Sequence, residues 1–207
     1  AVNDYDGDKN LLGVTEQFYL KILDIDRLDG RLRAWMFKNN FPQMIAIESD
    51  VETLITACNE LVDSEKFMKL LEVVLAIGNY LNSGKKGSYG FQMSSLLKLK
   101  DLKATGSNIN LLTYLIQFLQ RNYPGISDFD KDLKHVEPAS RVAIQNIQNE
   151  ISEMKKGLSM VDNEIENCTP LDSSDQFRSK MINFLEKGNE QIEQLDQKFE
   201  EMNKKLQ

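Results

Sequence analysis

The amino-acid sequence predicts an all-α protein: an elongated helical module with a globular part and a long antiparallel coiled-coil hairpin. Three observations carry this prediction. No segment alternates apolar and polar residues like a half-buried strand, whereas apolar residues recur at spacings of three and four along most of the chain. The four prolines, Pro42, Pro124, Pro138 and Pro170, each fall where such a pattern starts or stops. The C-terminal third carries two uninterrupted heptad seams.

The elements follow in order. Thr15 is placed to cap a short helix whose apolar side is Phe18, Leu20, Ile22 and Leu23. Asp26 is placed to cap a second helix, with Leu28, Leu32, Trp35 and Met36 at helical spacing. Pro42 suits the first turn of a third, an amphipathic stretch carrying Ile45, Ile47, Val51, Leu54, Ile55, Cys58, Leu61 and Val62 toward Asp63. Ser64 caps a fourth. Its run from Phe67 to Leu81 is apolar on nearly every side, which predicts a helix surrounded by protein at the centre of the globular part. Ile109 to Tyr123 has the same character, begins at the cap candidate Asn108 and ends before Pro124-Gly125.

Beyond Pro138 the pattern becomes a seam: Ile144, Ile147, Ile151, Met154, Leu158, Val161, Ile165 and Cys168. A turn follows at Thr169-Pro170-Leu171-Asp172-Ser173, with Ser173 or Ser174 as the next cap. From Phe177 a second seam continues through Met181, Leu185, Gly188, Ile192, Leu195, Phe199, Met202 and Leu206. Two helices of this length lie side by side at a shallow left-handed angle.

With 207 residues, 41% of them hydrophobic and 28% charged, the chain can build a real core and is neither collagenous nor disordered. It has no run of eighteen apolar residues, hence no expected membrane span, and its acidic start is unlike a secretory signal. Cys58 and Cys168 form no CxxC or Cys/His cluster, which points to a reducing compartment and a cytoplasmic protein. In such a setting the sequon Asn167-Cys168-Thr169 is idle.

Enzymatic constellations are missing. His135 is the only histidine and stands in a polar connection, without a nucleophile elbow elsewhere. Asp4, Asp6 and Asp8 resemble half a calcium loop, but Gly7 and Thr15 are out of register with one. Gly78 to Lys86 suggests a phosphate loop, yet five residues separate its glycines and Lys86 follows Lys85 where Ser or Thr should follow Lys. No enzyme activity, metal or cofactor is expected.

Net charge is −7, but residues 85–103 invert it: Lys85, Lys86, Lys98, Lys100 and Lys103 face only Asp101. This compact basic patch suits an acidic protein partner better than nucleic acid, which favours a more basic surface overall. The patch belongs to one unit, residues 78–115. Gly78 lets a backbone or bulky ring approach the helix closely. Asn79 and Asn82 stand at i and i+3 on one face, able to bond an approaching backbone. A loop punctuated by Gly84, Gly87 and Gly90 then carries the lysines, Tyr89 and Phe91.

At this unit the sequence resembles the formin homology 2 (FH2) family, in its diaphanous-related branch. Gly78-Asn79-Tyr80-Leu81-Asn82, Gly90-Phe91, Ser94-Ser95-Leu96, Lys98-Leu99, Asp101, Lys103 and Leu111-Leu112 match its pattern. Flanking stretches agree at 16–18, 32–38, 57–67 and 135–142, so the similarity runs over essentially the whole chain.

The resemblance implies a partial FH2 domain: a knob-like remnant over 1–50, a post-like helical part over 51–137 with its basic loop at 84–108, and the coiled-coil hairpin over 138–207. The lasso, linker and knob helix would precede Ala1, and the end of the post would follow Gln207. It assigns Lys103 as the post lysine that contacts actin, with Lys98, Lys100, Lys85 and Lys86 beside it. Gly78, Asn79, Tyr80, Asn82, Gly84, Gly90 and Phe91 match the surface that receives the partner subunit's lasso in the head-to-tail homodimer. Where the family often has Asp-Thr-Lys-Ser, this chain has Asp101-Leu102-Lys103-Ala104, so the hydroxyls are lost and the lysine stays.

By resemblance the whole protein nucleates actin filaments and stays on the growing barbed end as a dimer. Profilin-actin and a Rho-family GTPase would engage through other segments. The truncated chain alone is expected to bind actin weakly and nucleate poorly. Two other readings of the residues stand beside this one: a helical coiled-coil scaffold recruiting a partner helix, and a microtubule-binding module using the same basic patch.

Overall fold

The computed structural model describes residue 7 and residues 12–82, 87–103 and 109–206. Eight α-helices are found among them: α1 (Val14–Leu23), α2 (Leu28–Met44), α3 (Glu48–Asp63), α4 (Glu65–Leu81), α5 (Leu111–Asn122), α6 (Val136–Ala139), α7 (Ile144–Asn167) and α8 (Phe177–Lys205). Short 3₁₀ segments stand at Ile45–Ile47, Met93–Lys100 and Pro124–Asp132. The protein is all-α; a single isolated bridge, Lys103 to Asn110, is the only extended pairing among the described residues. The chain divides into two compact units, one of residues 1–52 with 143–205 and the other of residues 53–142.

In the first unit the two heptad seams meet. Ile147, Ile151, Met154, Leu158, Val161 and Ile165 of α7 are buried with Met181, Ile192, Leu195, Phe199 and Met202 of α8. The pairing is antiparallel: Lys155 bonds Asp196 at 2.8 Å, while Leu158 packs where Gly188 leaves room. At 1.5 Å per residue the helices run about 36 and 44 Å.

The hairpin is not two helices alone, because α2 packs on both. Its Phe37 ring occupies the space in which a Gly157 side chain would stand, and Phe37, Phe41 and Phe184 meet edge-on with centroids 5.3–6.0 Å apart. This arrangement corrects the face expected for α2. Arg31, Ala34 and Phe41 are buried, whereas Leu32 and Met36 are exposed.

A polar latch fixes the hairpin turn to the start of α2. Arg31, buried, donates to the Asp175 carboxylate at 2.8 Å, to the Thr169 carbonyl at 2.6 Å and to the Asp26 carbonyl at 3.0 Å. Arg27 grips the buried Glu164 with two hydrogen bonds, 2.8 and 2.9 Å. Its backbone lies in the left-handed region at φ 52°, a conformation costing about 1–3 kcal/mol that this grip and its surroundings hold in place.

Several cap assignments change. Asp26 does not cap α2: its carboxylate accepts the Thr169 amide and hydroxyl, and Arg27 stands at the helix start instead. Neither Ser173 nor Ser174 caps α8; Asp175 accepts the Phe177 amide at 2.9 Å, and Asp172 ties down Ser174. Thr15 lies inside α1, which starts from an extended Gly13. Pro42 falls in the last turn of α2 rather than opening a helix. There it removes one late backbone bond, and the 3₁₀ turn at Ile45–Ile47 leads into α3. The apolar side of α1 is largely exposed, with Phe18 and Leu23 both more than half accessible.

In the second unit Ser64 caps α4 as expected, accepting the Phe67 amide and donating to Asp132. Asp132 also pairs with Lys66 at 3.3 Å. The Glu60 carboxylate accepts the His135 amide at 2.8 Å and lies 2.6 Å from its Nδ1, so the lone histidine is a structural clasp. Val73, Leu115, Leu119 and Ile126 form the core, with Leu70, Val74, Ile77, Leu99 and Phe118 packed against it. The expectation that α4 is enclosed on every side is overturned. Only Phe67 and Val73 are buried, while Met68, Tyr80 and Leu81 are exposed. The α5 cap is Asn110, whose side chain accepts the Thr113 amide; the expected cap Asn108 lies outside the described residues.

Candidate functional site

The uncovered side of α4 forms the candidate site. Two adjoining clefts open there, about 400 and 650 Å³ in volume. Ile77, Leu81, Leu102 and Leu111 line both. Gly78 lies in the first, and none of the described residues comes within 4 Å of where a side chain on it would stand. The close approach that a glycine permits is therefore left open to a group from outside.

Asn79 does not present its amide to a visitor, as its spacing from Asn82 suggested. Its Nδ2 donates to the Ser88 carbonyl at 2.9 Å and its Oδ1 accepts the Ser88 amide at 2.8 Å, which fixes the loop over the cleft. Asn82 donates back to the Gly78 carbonyl at 2.8 Å and closes the end of α4. Both amides shape the site by holding their own chain. Gly90 and the half-buried Phe91 complete the wall of the first cleft, while Tyr80 stands in the second, 79% exposed.

The lysines sit on the rim. Lys98 borders the first cleft and Lys103 the second, and Lys98, Lys100 and Lys103 are all exposed. None of the three forms an ion pair among the described residues. Lys103 is not on a loose strand: the backbone bridge to Asn110 and the Leu111 amide donating to Leu102 at 2.8 Å tie its segment to the start of α5. Gly84, Lys85 and Lys86 lie outside the described residues.

Sequence reasoning missed the apolar half of this site. Leu102, Ile109 and Tyr114 are about half exposed beside Leu81. Their signal was the surplus of apolar positions around α4 and α5, more than one core can cover. An apolar trough with amine-bearing edges can seat a bulky side chain and orient an acidic surface. No group of histidines, cysteines or carboxylates that could hold a metal occurs among the described residues, and none of their helices is long and apolar enough to cross a membrane.

Comparison with known proteins agrees with this architecture. The Formin Homology 2 Domain family model matches residues 1–207. The chain is 34% identical to Protein diaphanous homolog 3 of Homo sapiens, covering 100% of this chain and 18% of that protein. It is 38% identical to Disheveled-associated activator of morphogenesis 2 of Gallus gallus, over 82% of this chain and 16% of that protein. It is 31% identical to Formin-H of Dictyostelium discoideum, over 99% of this chain and 19% of that protein. The chain thus spans less than a fifth of the length of these relatives. A family match over every residue, on an all-α frame, shows that the chain belongs to the formin homology 2 family.

Proposed function

We propose that this chain is the post and coiled-coil portion of an FH2 domain whose parent protein nucleates actin filaments and holds the growing barbed end as a homodimer. The observation that carries this reading is Lys103: exposed, anchored through the bridge to Asn110, and set beside an apolar cleft in a chain of the FH2 family. The ammonium supplies attraction and orientation toward acidic actin, with Lys98 and Lys100 adding to the field. The cleft floored by Gly78 receives an aromatic-bearing segment of the partner subunit. Each contact is modest, and the dimer multiplies them by avidity. Assembly here is contact without covalent chemistry. Profilin-actin and a Rho-family GTPase act through other parts of the parent protein.

Cosedimentation with actin filaments tests the contact. The chain pellets with filaments weakly and less so as salt rises, since exposed charges are screened over about 10 Å at 0.1 M. Lys103→Ala removes most of that binding. Equal pelleting of the variant at every salt concentration contradicts the assignment and favours a coiled-coil scaffold.

A further inference from the structure

A second groove, of about 710 Å³, lies in the first unit between α2 and α8. Half-buried Phe184 forms the aromatic floor, with the buried Phe41 beneath it and both rings edge-on to Phe37, and Trp35 stands at the wall with the Lys38 ammonium 4.7 Å over its ring. Lys38, Lys180 and Lys187 line the groove together with three side-chain amides, and no carboxylate lines it. In a chain of net charge −7 this is a local inversion of sign. None of the three lysines forms an ion pair among the described residues.

The geometry points to a docking groove for an acidic peptide segment of a protein partner, with an apolar side chain on the aromatic floor and carboxylates on the lysines. Lys180 and Lys187 are seven residues apart, hence two turns along one face of α8 and about 10.5 Å in rise. An extended peptide advances about 3.3 Å per residue and alternates its side chains between two faces, so a carboxylate, an apolar side chain and a second carboxylate on one face stand at positions i, i+2 and i+4, a span of about 13 Å that the flexible lysine stems accommodate. An inorganic anion would leave the aromatic floor unused. A nucleic acid would need a longer basic track than three lysines on a helix that also bears Glu186, Glu190 and Glu193. The groove is separate from the Lys103 site, and this inference stands whether or not that site binds actin.

Trp35 is the only tryptophan, so its fluorescence reports on the groove directly. The experiment titrates the chain with a capped peptide bearing two glutamates four positions apart with a leucine midway between them, with its glutamine counterpart, and with vesicles containing anionic lipid. The glutamate peptide shifts Trp35 emission saturably and less tightly as salt rises. The glutamine peptide binds at least about tenfold more weakly, and so does the glutamate peptide to the triple variant Lys38→Gln, Lys180→Gln, Lys187→Gln. Lys180 and Lys187 are exposed and Lys38 is half-buried against Trp35, and an unchanged melting curve of the variant shows that the fold is kept. Equal binding by the variant, equal binding of the glutamine peptide, or a response to vesicles alone overturns the inference.

Discussion

Asn79 grips Ser88 with both ends of its amide, nine residues ahead on the loop that walls the candidate cleft. The pair acts like a short piece of sheet ladder made by a side chain. Each bond of this kind contributes about 0.5–1.5 kcal/mol. Asn79→Ala therefore loosens the loop locally: the Ser88 amide exchanges with solvent faster, while the melting temperature of the chain falls little. Asn79→Asp keeps the acceptor and loses the donor, so it shows an intermediate exchange rate.

Two glycines give opposite outcomes when changed to alanine. A methyl group on Gly157 meets the Phe37 ring and must displace it, which costs about 1–3 kcal/mol on thermal or chemical unfolding. A methyl group on Gly78 meets nothing among the described residues, and alanine favours the helix by up to about 1 kcal/mol. Gly78→Ala thus leaves the isolated chain as stable or more so. On the proposed reading, the same methyl group projects into the cleft and is expected to weaken dimerisation of the complete domain, which sedimentation equilibrium reads directly.

The latch at the hairpin turn titrates. Donors from the Phe177 amide, the Arg31 guanidinium and the Leu171 amide hold the Asp175 carboxyl down at about 2, against an ordinary 3.8. Because the folded value is the lower one, this contribution to stability is complete above the ordinary value. It is lost as pH falls from there through about 2. Melting curves of the protein and of Asp175→Asn differ most at neutral pH and converge in that acid window. A constant difference across it contradicts the latch.

Arg31 is the other half of that latch. Removing one partner of a buried ion pair strands the rest, so Arg31→Ala is expected to destabilise the first unit by about 3–5 kcal/mol. A double variant with Asp175→Asn costs less than the sum of the two single changes, the mark of a direct interaction.

The hairpin was legible from sequence because a heptad seam repeats one physical demand many times, and Ile147 through Met202 meet it. Caps were less legible because they depend on which distant group competes for a side chain. Asp26 could serve the first turn of α2 or Thr169, and the turn of the hairpin takes it. Pro42 reads as a helix opener by type, yet near the end of α2 it breaks little. The uncovered side of α4 was misread for a related reason. Apolar composition says that a surface seeks cover and leaves open whether the cover comes from the same chain. The lysines of the site were visible as a charge inversion, whereas Leu102 and Tyr114 became part of it only once α5 was placed beside α4.

Filament assembly by the complete FH2 domain tests most directly whether the Lys103 ammonium engages actin. With pyrene-labelled actin, Lys103→Ala in the otherwise intact dimer is expected to slow nucleated assembly by about tenfold or more, the equivalent of roughly 1.4 kcal/mol of lost contact. Assembly at the unaltered rate, with the dimer intact, would contradict it.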